Sequence, residues 1–307
     1  MPGRSEFSDL IDELRAKKNA AILAHNYQRR EVQEIADYVG DSLGLILEGL
    51  KSHAEVMVLC GIRPMAEIAK ALSPEKIVLL PRREAGCPMM GTVAPDDVRR
   101  LRAEKPQAAF VCFVNTAAAV KVECDVCCTS SNAVDVVNGL DAEEIVFLPD
   151  RNIARWIGRH TSKKIIEWSG FCFVHERIDE ESMSRVRGIH PRAPIVVHPG
   201  CRPEVIDLAD EVLSSGAMVD FAKASNADTI VLGSEAGLIH RLYREDPRKR
   251  YYTAGPARMC KNMKMTTLED VYLALSEEKY RTELPQEVAR KVRGTLERMF
   301  EICGEVR

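Results

Sequence analysis

The chain has 307 residues, of which 46% are hydrophobic and 29% are charged, as in an ordinary globular protein. Its formal net charge of -3 gives no electrostatic reason to bind nucleic acid or an acidic membrane. The sequence has no apolar segment long enough to span a bilayer and no hydrophobic signal-peptide region at its start. We therefore predict a cytoplasmic protein. Its ten cysteines then point to metal binding, catalysis or inert burial, because disulfides rarely persist in that compartment.

Short β-rich runs alternate with amphipathic segments along the chain. Residues 31–40 and 64–72 are two of the segments with helical character, and residues 285–300 predict a C-terminal helix with one apolar face. The apolar runs of strand length are AAILAHN, EVMVLCG, KIVLLP, AAFVCFVN, EIVFLPD, KIIEWSG, APIVVHP and DTIVLGS. Continuous apolar strands are typical of parallel sheets covered on both faces. The alternation therefore predicts an α/β protein with small parallel sheets.

Three sets of landmarks recur along the chain with nearly one period. Three strands end in a polar residue: His25, Asn115 and His198. A serine follows each of these strands: Ser42, Ser130 and Ser215. A later strand-like segment of each stretch runs into a cysteine: Cys87, Cys172 and Cys260. The intervals within each set are nearly equal and are similar from set to set, so chance is a poor explanation.

This period predicts three homologous α/β domains, comprising residues 1–86, 87–171 and 172–284. We expect the C-terminal helix, within residues 285–307, to pack back on the first domain. In parallel α/β domains, ligand sites gather beyond the carboxyl ends of the strands. Three domains around a pseudo-threefold axis would bring their strand ends, and with them the three cysteines, to one cavity.

Three converging thiolates in a reducing compartment predict a metal centre. Structural zinc usually has four ligands, often from local cysteine pairs, so three distant cysteines fit a [4Fe–4S] cluster with one open iron better. An open iron is a Lewis acid that polarises a hydroxyl or carboxylate, which favours dehydration or condensation over electron transfer. The matched serines, helped by helix N-termini, are expected to hold carboxylates or phosphate.

The remaining cysteines are interpreted as small buried side chains rather than ligands. This interpretation covers Cys60, Cys112, Cys124 and Cys303, and it extends to the motif CDVCC, which leads directly into a predicted ligand loop. Two residues stay open. Cys201 lies near His198 but has no counterpart in the other repeats, and His175 follows Cys172 by three residues.

Taken together, the motifs resemble those of the quinolinate synthase family over essentially the whole chain. They are, in the family's order, AHNYQ, IADYVGDSL, MAEIAK, CTSSNAV, PDRN, GFCFVHERI, VHP and CKNMKMTTLE. The resemblance implies three α/β domains around a pseudo-threefold axis and an oxygen-sensitive [4Fe–4S] cluster on Cys87, Cys172 and Cys260. It also implies the reaction, in which iminoaspartate and dihydroxyacetone phosphate condense, lose phosphate and water, and close to quinolinate, the precursor of NAD.

The resemblance assigns roles to single residues as well. The positions matched to catalytic residues are His25, Tyr27 and His198. The positions matched to substrate contacts are His25, Ser42, Asn115, Ser130, His198 and Ser215. The implied partners are these small molecules, without nucleic acid or membrane, and there is room for a transient contact with the enzyme that supplies iminoaspartate.

Two positions depart from the family pattern. Phe113 stands where the family usually has Tyr, and Gly200 stands where it usually has Glu. A missing general acid or base costs about 10²–10⁴-fold in rate. Three hypotheses follow: a working quinolinate synthase, a divergent enzyme acting on another small dicarboxylate or phosphorylated substrate, and a non-catalytic iron–sulfur protein. The first predicts that Phe113→Tyr with Gly200→Glu raises quinolinate formation, and the second predicts no gain.

Overall fold

The computed structural model describes residues 4–304, in which fourteen α-helices and twelve β-strands occur. The helices are α1 (Arg4–Lys17), α2 (Arg30–Ile35), α3 (Ser42–Lys51), α4 (Arg63–Leu72), α5 (Pro95–Glu104), α6 (Ala118–Lys121), α7 (Ala133–Asn138), α8 (Arg151–Gly158), α9 (Glu180–Ile189), α10 (Pro203–Ile206), α11 (Ser215–Ala224), α12 (Gly237–Glu245), α13 (Leu268–Glu277) and α14 (Gln286–Cys303). The strands are β1 (Ala20–His25), β2 (Tyr38–Gly40), β3 (Val56–Cys60), β4 (Ile77–Leu79), β5 (Ala109–Phe113), β6 (Val126–Cys128), β7 (Glu144–Leu148), β8 (Lys164–Glu167), β9 (Ile195–Val197), β10 (Glu211–Val212), β11 (Thr229–Gly233) and β12 (Arg250–Thr253). None of these helices is both long enough and apolar enough to cross a membrane.

The strands of this part of the chain form three four-stranded sheets with one topology. Their orders are β2-β1-β3-β4, β6-β5-β7-β8 and β10-β9-β11-β12. All pairings within them are parallel. The predicted α/β class with small parallel sheets is confirmed.

The sequence misses the same strand in each sheet. Each of the eight apolar runs contains a strand, whereas β2, β6 and β10 were not predicted. These strands have three, three and two residues, and each follows directly on an aspartate, so no apolar run of strand length marks them. The equally short β4 and β9 lie within longer apolar runs. The strand β2 also corrects the helix expected over residues 31–40. The helix α2 ends at Ile35. The side chain of Asp37, two residues later, accepts a hydrogen bond from the amide of Ile22 in β1 at 2.8 Å.

That aspartate contact recurs in each sheet. The residue directly before the short edge strand accepts a hydrogen bond from an amide in the neighbouring strand: Asp37 from Ile22, Asp125 from Phe110, and Asp210 from Ile195, at 2.7–2.8 Å. The same aspartates form ion pairs with Arg15, Arg102 and Arg187 at 2.7–3.0 Å. The same atoms are therefore tied together in all three sheets, which makes the sheets equivalent residue by residue.

A lysine before the last strand of each sheet is a second recurring device. In the first and third sheets its amino group donates to two carbonyls at the end of a helix: Lys76 to Gly49 and Ser52, and Lys249 to Ala222 and Ser225. In the second sheet Lys163 donates to the carbonyl of Leu140, just beyond α7. Each lysine satisfies carbonyls that a helix C-terminus leaves without an intrahelical partner.

The chain divides into two compact units, which we describe separately. The first comprises Met1–Cys87 and Cys260–Arg293 and contains the first sheet. Its helices cover both faces of that sheet, with Ile22 in a core with α1 and α13 and Leu23 in a core with α3 and α4. The second unit comprises Pro88–Met259 and Gly294–Arg307 and contains the other two sheets. The three predicted domain ranges stay a prediction.

Candidate active site

The end of β1 places a neutral histidine beside a tyrosine. The Nδ1 atom of His25 accepts a hydrogen bond from the amide of Tyr27 at 3.1 Å, and the two rings meet edge to face with centroids 4.6 Å apart. Burial lowers the pKa of His25 to about 4, although the charge of Asp41 opposes this shift. Because Nδ1 accepts, the proton of the neutral ring lies on Nε2, which can donate to a ligand.

Two loops of the first unit carry Cys87 and Cys260. Both side chains are half-buried and pack, together with Tyr27, against one hydrophobic cluster. The amide of Arg63 holds the first loop through the carbonyl of Ala85 at 2.8 Å. The side chain of Asn262 joins the two loops by donating to the carbonyl of Gly86 at 2.7 Å.

The segment after Cys260 is also tied to the end of β1. The amino group of Lys264 donates to the carbonyls of Tyr27 and Gln28, and Arg29 donates to the carbonyl of Lys264 at 2.6 Å. Within the first unit, the structure therefore brings Tyr27 and both of the predicted ligand loops together.

Cys172 follows β8 in the second unit, and a buried aspartate holds its backbone. The carboxylate of Asp150 accepts from the amides of Asn152 at 2.9 Å and Ile153 at 3.3 Å, and also from the amide of Cys172. Burial raises the pKa of Asp150 to about 7, against the opposite effect of these three amides. The carboxylate thus caps α8 and fixes the start of the cysteine loop.

Gly170, two residues before Cys172, lies directly against backbone on the approach to this loop. A Cβ atom there would lie 2.4 Å from the carbonyl oxygen of Pro149, which cannot move without displacing α8. We expect Gly170→Ala to lower the free energy of unfolding by about 1–3 kcal/mol and to disturb the Cys172 loop. Urea denaturation measures this loss.

The matched control for this change is Gly188→Ala. Gly188 lies in the exposed part of α9, where a Cβ atom meets nothing within 4 Å. Alanine there should raise stability by up to about 1 kcal/mol, because it favours the helix. Equal effects of the two substitutions would contradict the role given to Gly170.

His198, the residue after β9, stacks on His175, whose role the sequence left open. The rings of His175 and His198 lie parallel within 8°, with centroids 4.1 Å apart. The Nδ1 atom of His198 accepts from the amide of Gly200 at 3.0 Å, as His25 does from Tyr27. A Cβ atom at Gly200 would lie 3.1 and 3.2 Å from the Nδ1 atoms of His198 and His175, so glycine lets the backbone approach both rings.

The motif PDRN holds the loop of Cys172 and the loop of Gly200 in the second unit. The amide nitrogen of the Asn152 side chain donates to the carbonyl of Gly200 at 3.1 Å and to the Glu176 carboxylate at 2.7 Å. Glu176 also pairs with Arg151 at 2.7 Å, and its amide donates to the carbonyl of Cys172 at 2.9 Å. Sequence reasoning assigned no role to Asp150, Asn152 or Glu176, although all three stand in motifs that carried the family resemblance, PDRN and GFCFVHERI.

The predicted serines lie on three equivalent loops, with a difference in the second. Ser42 and Ser215 are the first residues of the ten-residue helices α3 and α11, whose N-termini are capped by the side chains of Asp41 and Ser214. Ser130 instead lies three residues before α7. Its neighbour Ser131 donates to the hydroxyl of Ser214 at 2.9 Å, which joins the second and third serine loops.

The structure corrects one of the predicted equivalences. In the strand pairing, His25 lies beside Gly40, which precedes Ser42 by two residues. Phe113 lies in the same way beside Cys128, which precedes Ser130 by two residues. Phe113, and not Asn115, is therefore the equivalent of His25 and His198. The equivalents of Asn115 are Tyr27 and Gly200. Each departure from the family pattern therefore has an equivalent among the predicted site residues: His25 for Phe113, and Tyr27 for Gly200.

Asn115 has a buried polar atom that the described part of the folded chain leaves without a partner. It follows β5, and its Oδ1 atom is buried without a hydrogen-bond partner among residues 4–304. A buried amide oxygen left in this way costs free energy unless a ligand or water supplies a donor.

The cysteines differ in a way that fits the proposed ligand set. Cys87, Cys172 and Cys260 are half-buried, whereas burial raises the pKa of the fully buried thiols Cys60, Cys128 and Cys201 and keeps them protonated. The thiolate is the form that binds a metal. Cys201 donates to the carbonyl of Gly233 and lies in the core of the third sheet, so its proximity to His198 is structural.

Among residues 4–304, no group of three or more His, Cys, Asp and Glu side chains is arranged to hold a metal ion. In an iron–sulfur cluster each cysteine binds a different iron atom, so its ligands need not meet around a single ion. The accessibility of the three cysteines and the anchoring of their loops fit cluster ligation.

The buried histidines make a pH prediction. Burial lowers the pKa of both His25 and His175 to about 4. We expect both rings of the cluster-free protein to stay neutral at pH 6 and to titrate near pH 4, which ¹³C-histidine NMR would detect. Because their folded pKa values lie below the unfolded value, their contribution to stability is full above about pH 6.5 and is lost toward pH 4. Titration of both rings near pH 6.5 would contradict this burial.

Comparison with known proteins identifies the family of this chain. The family model described as "NadA: Quinolinate synthetase A protein" matches residues 9–301. A protein of Geobacter sp. (strain M21) named quinolinate synthase is 47% identical over 292 residues, which cover 95% of this chain and 96% of that protein. Quinolinate synthases of Alkaliphilus metalliredigens and Methanoregula boonei are 45% and 46% identical, over 96% and 94% of this chain and 97% and 95% of their own lengths. The chain is thus an enzyme of the quinolinate synthetase A family.

Proposed function

We propose that this protein forms quinolinate from iminoaspartate and dihydroxyacetone phosphate, as a step of NAD biosynthesis. The observation that carries this proposal is the similarity of almost the whole chain to proteins named quinolinate synthase. The polar residues to which the family resemblance assigns substrate contacts follow the carboxyl ends of strands in three equivalent sheets, which is where α/β proteins bind ligands.

Cys87, Cys172 and Cys260 are the residues that would hold a [4Fe–4S] cluster. With three protein ligands, the bound cluster supplies one Lewis-acidic iron for the dehydration step. The loops that carry these cysteines are fixed by Asn262 in the first unit and by Asp150 in the second.

The chain's own residues supply binding and proton transfer. Ser42 and Ser215 are the first residues of α3 and α11, so each combines a hydroxyl with a helix N-terminus, a place that favours carboxylate or phosphate groups. His25 and His198 each accept a backbone amide at Nδ1, so Nε2 of the neutral ring is a donor to a carbonyl or leaving-group oxygen. The unsatisfied amide oxygen of Asn115 accepts from a substrate hydroxyl or amine.

A second candidate rests on Gly200. Its backbone lies against both rings of the histidine pair, and it carries no carboxylate where the family resemblance implies a glutamate. This observation favours a divergent enzyme that uses the same cavity on another small dicarboxylate or phosphorylated substrate.

Genetic complementation tests the proposal. A bacterial strain that lacks its own quinolinate synthase grows only with added nicotinate, and expression of this chain should restore growth without it. The Cys172→Ser variant is the matched control and should not restore growth. Failure of the wild-type chain, expressed at a level equal to that of a complementing relative, would favour the second candidate.

A further inference from the structure

Two buried polar side chains occupy equivalent positions in the first two sheets. Gln33 in α2 and Lys121 in α6 follow Tyr27 and Asn115, respectively, by six residues, and each side chain is fully buried. Polar side chains of this size are rarely buried completely unless their hydrogen bonds are satisfied.

Each of the two side chains donates to the backbone on both sides of a predicted site residue. The amino group of Lys121 donates to the carbonyls of Val114, at 2.9 Å, and Thr116. These carbonyls flank Asn115. The side-chain amide of Gln33 donates to the carbonyls of Asn26 and Gln28, both at 3.0 Å, and these flank Tyr27. Different chemical groups therefore make the same pair of contacts.

The third sheet shows what happens where no side chain has to be oriented. The position equivalent to Gln33 and Lys121 is Ile206, the last residue of α10, which is buried and has no donor. A donor at this position would bond the carbonyls on both sides of Gly200, and Gly200 has no side chain to aim. An apolar residue can therefore fill this position, and packing alone does not require a lysine or a glutamine.

We propose that Lys121 and Gln33 are positioning residues, which fix the backbone on both sides of Asn115 and Tyr27 and thereby aim these side chains at the substrate. This inference rests on the proposed function of the site. Holding a reacting or binding group within a fraction of an ångström matters, because a displacement of about 1 Å can cost about 10²-fold in rate.

The test compares variants of Lys121 in the cluster-loaded protein. Lys121→Gln introduces the donor that the first sheet uses and should keep kcat within about threefold of the wild type. Lys121→Met has similar length but no donor and should lower kcat by at least about tenfold. Gln33→Leu should act in the same direction as Lys121→Met through Tyr27.

The matched control is Lys249→Met, which also removes two lysine–carbonyl bonds, but at the far end of α11 from Ser215. It should cost stability without lowering kcat. Wild-type kcat in a folded Lys121→Met protein would overturn the inference. A Lys121→Gln variant as slow as Lys121→Met would overturn it too. Such a result would mean that the hydrogen-bond donor supplied by glutamine does not restore kcat.

A second readout separates this inference from the proposed function. If the wild type makes no quinolinate, the proposed function fails. Hydrogen exchange of residues 113–117 then decides the inference: faster exchange in Lys121→Met but not in Lys121→Gln supports it, and equal exchange in both variants overturns it.

Discussion

Replacing Cys172 by serine is expected to abolish cluster binding and quinolinate formation together, and Cys87→Ser and Cys260→Ser should do the same. Each cysteine would be the single protein ligand of one iron, and a serine hydroxyl does not supply the thiolate that such clusters need. In the anaerobically reconstituted protein, the content of about four irons and four sulfides per chain should fall below about one in each variant. Iron and sulfide analysis with visible absorption spectroscopy measures this.

Cys303→Ser is the matched control for these variants. Cys303 is half-buried, as the three proposed ligands are, but it ends α14 and has no counterpart in the repeat. Its replacement should leave cluster content and turnover unchanged. A Cys172→Ser protein that retains a full cluster, or a Cys303→Ser protein that loses it, would contradict the ligand assignment.

Introducing at Phe113 and Gly200 the side chains that the family resemblance implies should raise the rate of quinolinate formation. The double variant Phe113→Tyr/Gly200→Glu returns a phenol and a carboxylate, and the carboxylate would lie beside the stacked rings of His175 and His198. A general acid or base typically contributes about 10²–10⁴-fold. Accommodating a Cβ atom 3.1–3.2 Å from both rings offsets part of this gain. We therefore expect kcat to rise by about tenfold or more.

Gly200→Ala separates the steric effect from the chemical one. It adds the crowding Cβ atom without a carboxylate, so it should lower kcat relative to the wild type. The double variant must then exceed both proteins. A double variant that is no faster than the wild type, with its cluster intact, would indicate that the cavity has diverged toward another substrate.

Much of the fold was predictable because continuous apolar runs and a regular repeat spacing extend along the sequence. The eight apolar runs marked the positions of eight strands, and the nearly even spacing of Ser42, Ser130 and Ser215 identified the repeat. The edge strands β2, β6 and β10 were missed, since they follow directly on an aspartate and lie outside any apolar run of strand length.

The equivalence of Asn115 with the histidines was wrong for a reason that the spacing already contained. His25 precedes Ser42 by the same interval by which Phe113 precedes Ser130 and His198 precedes Ser215, whereas Asn115 lies closer to its serine. The prediction relied on the polarity of the residue at the strand end and not on its distance from the following serine. Backbone pairing decides the matter, because the register of a strand fixes which residues are equivalent.

The supporting residues of the site could not be read from the sequence. Asp150, Asn152, Lys121 and Gln33 act through hydrogen bonds to backbone groups, and such bonds depend on how loops meet in the folded chain. A buried lysine is also indistinguishable, in sequence, from the many exposed ones. Only the comparison of three equivalent sheets shows that Lys121, Gln33 and Ile206 share one position.

The most direct test of this account is an anaerobic assay of the wild-type protein. After reconstitution to about four irons and four sulfides per chain, the protein is supplied with dihydroxyacetone phosphate and freshly formed iminoaspartate, and quinolinate and phosphate are quantified. We predict that the two products appear in equal amounts, over many turnovers. A protein with a complete cluster that forms no quinolinate would contradict the proposed reaction.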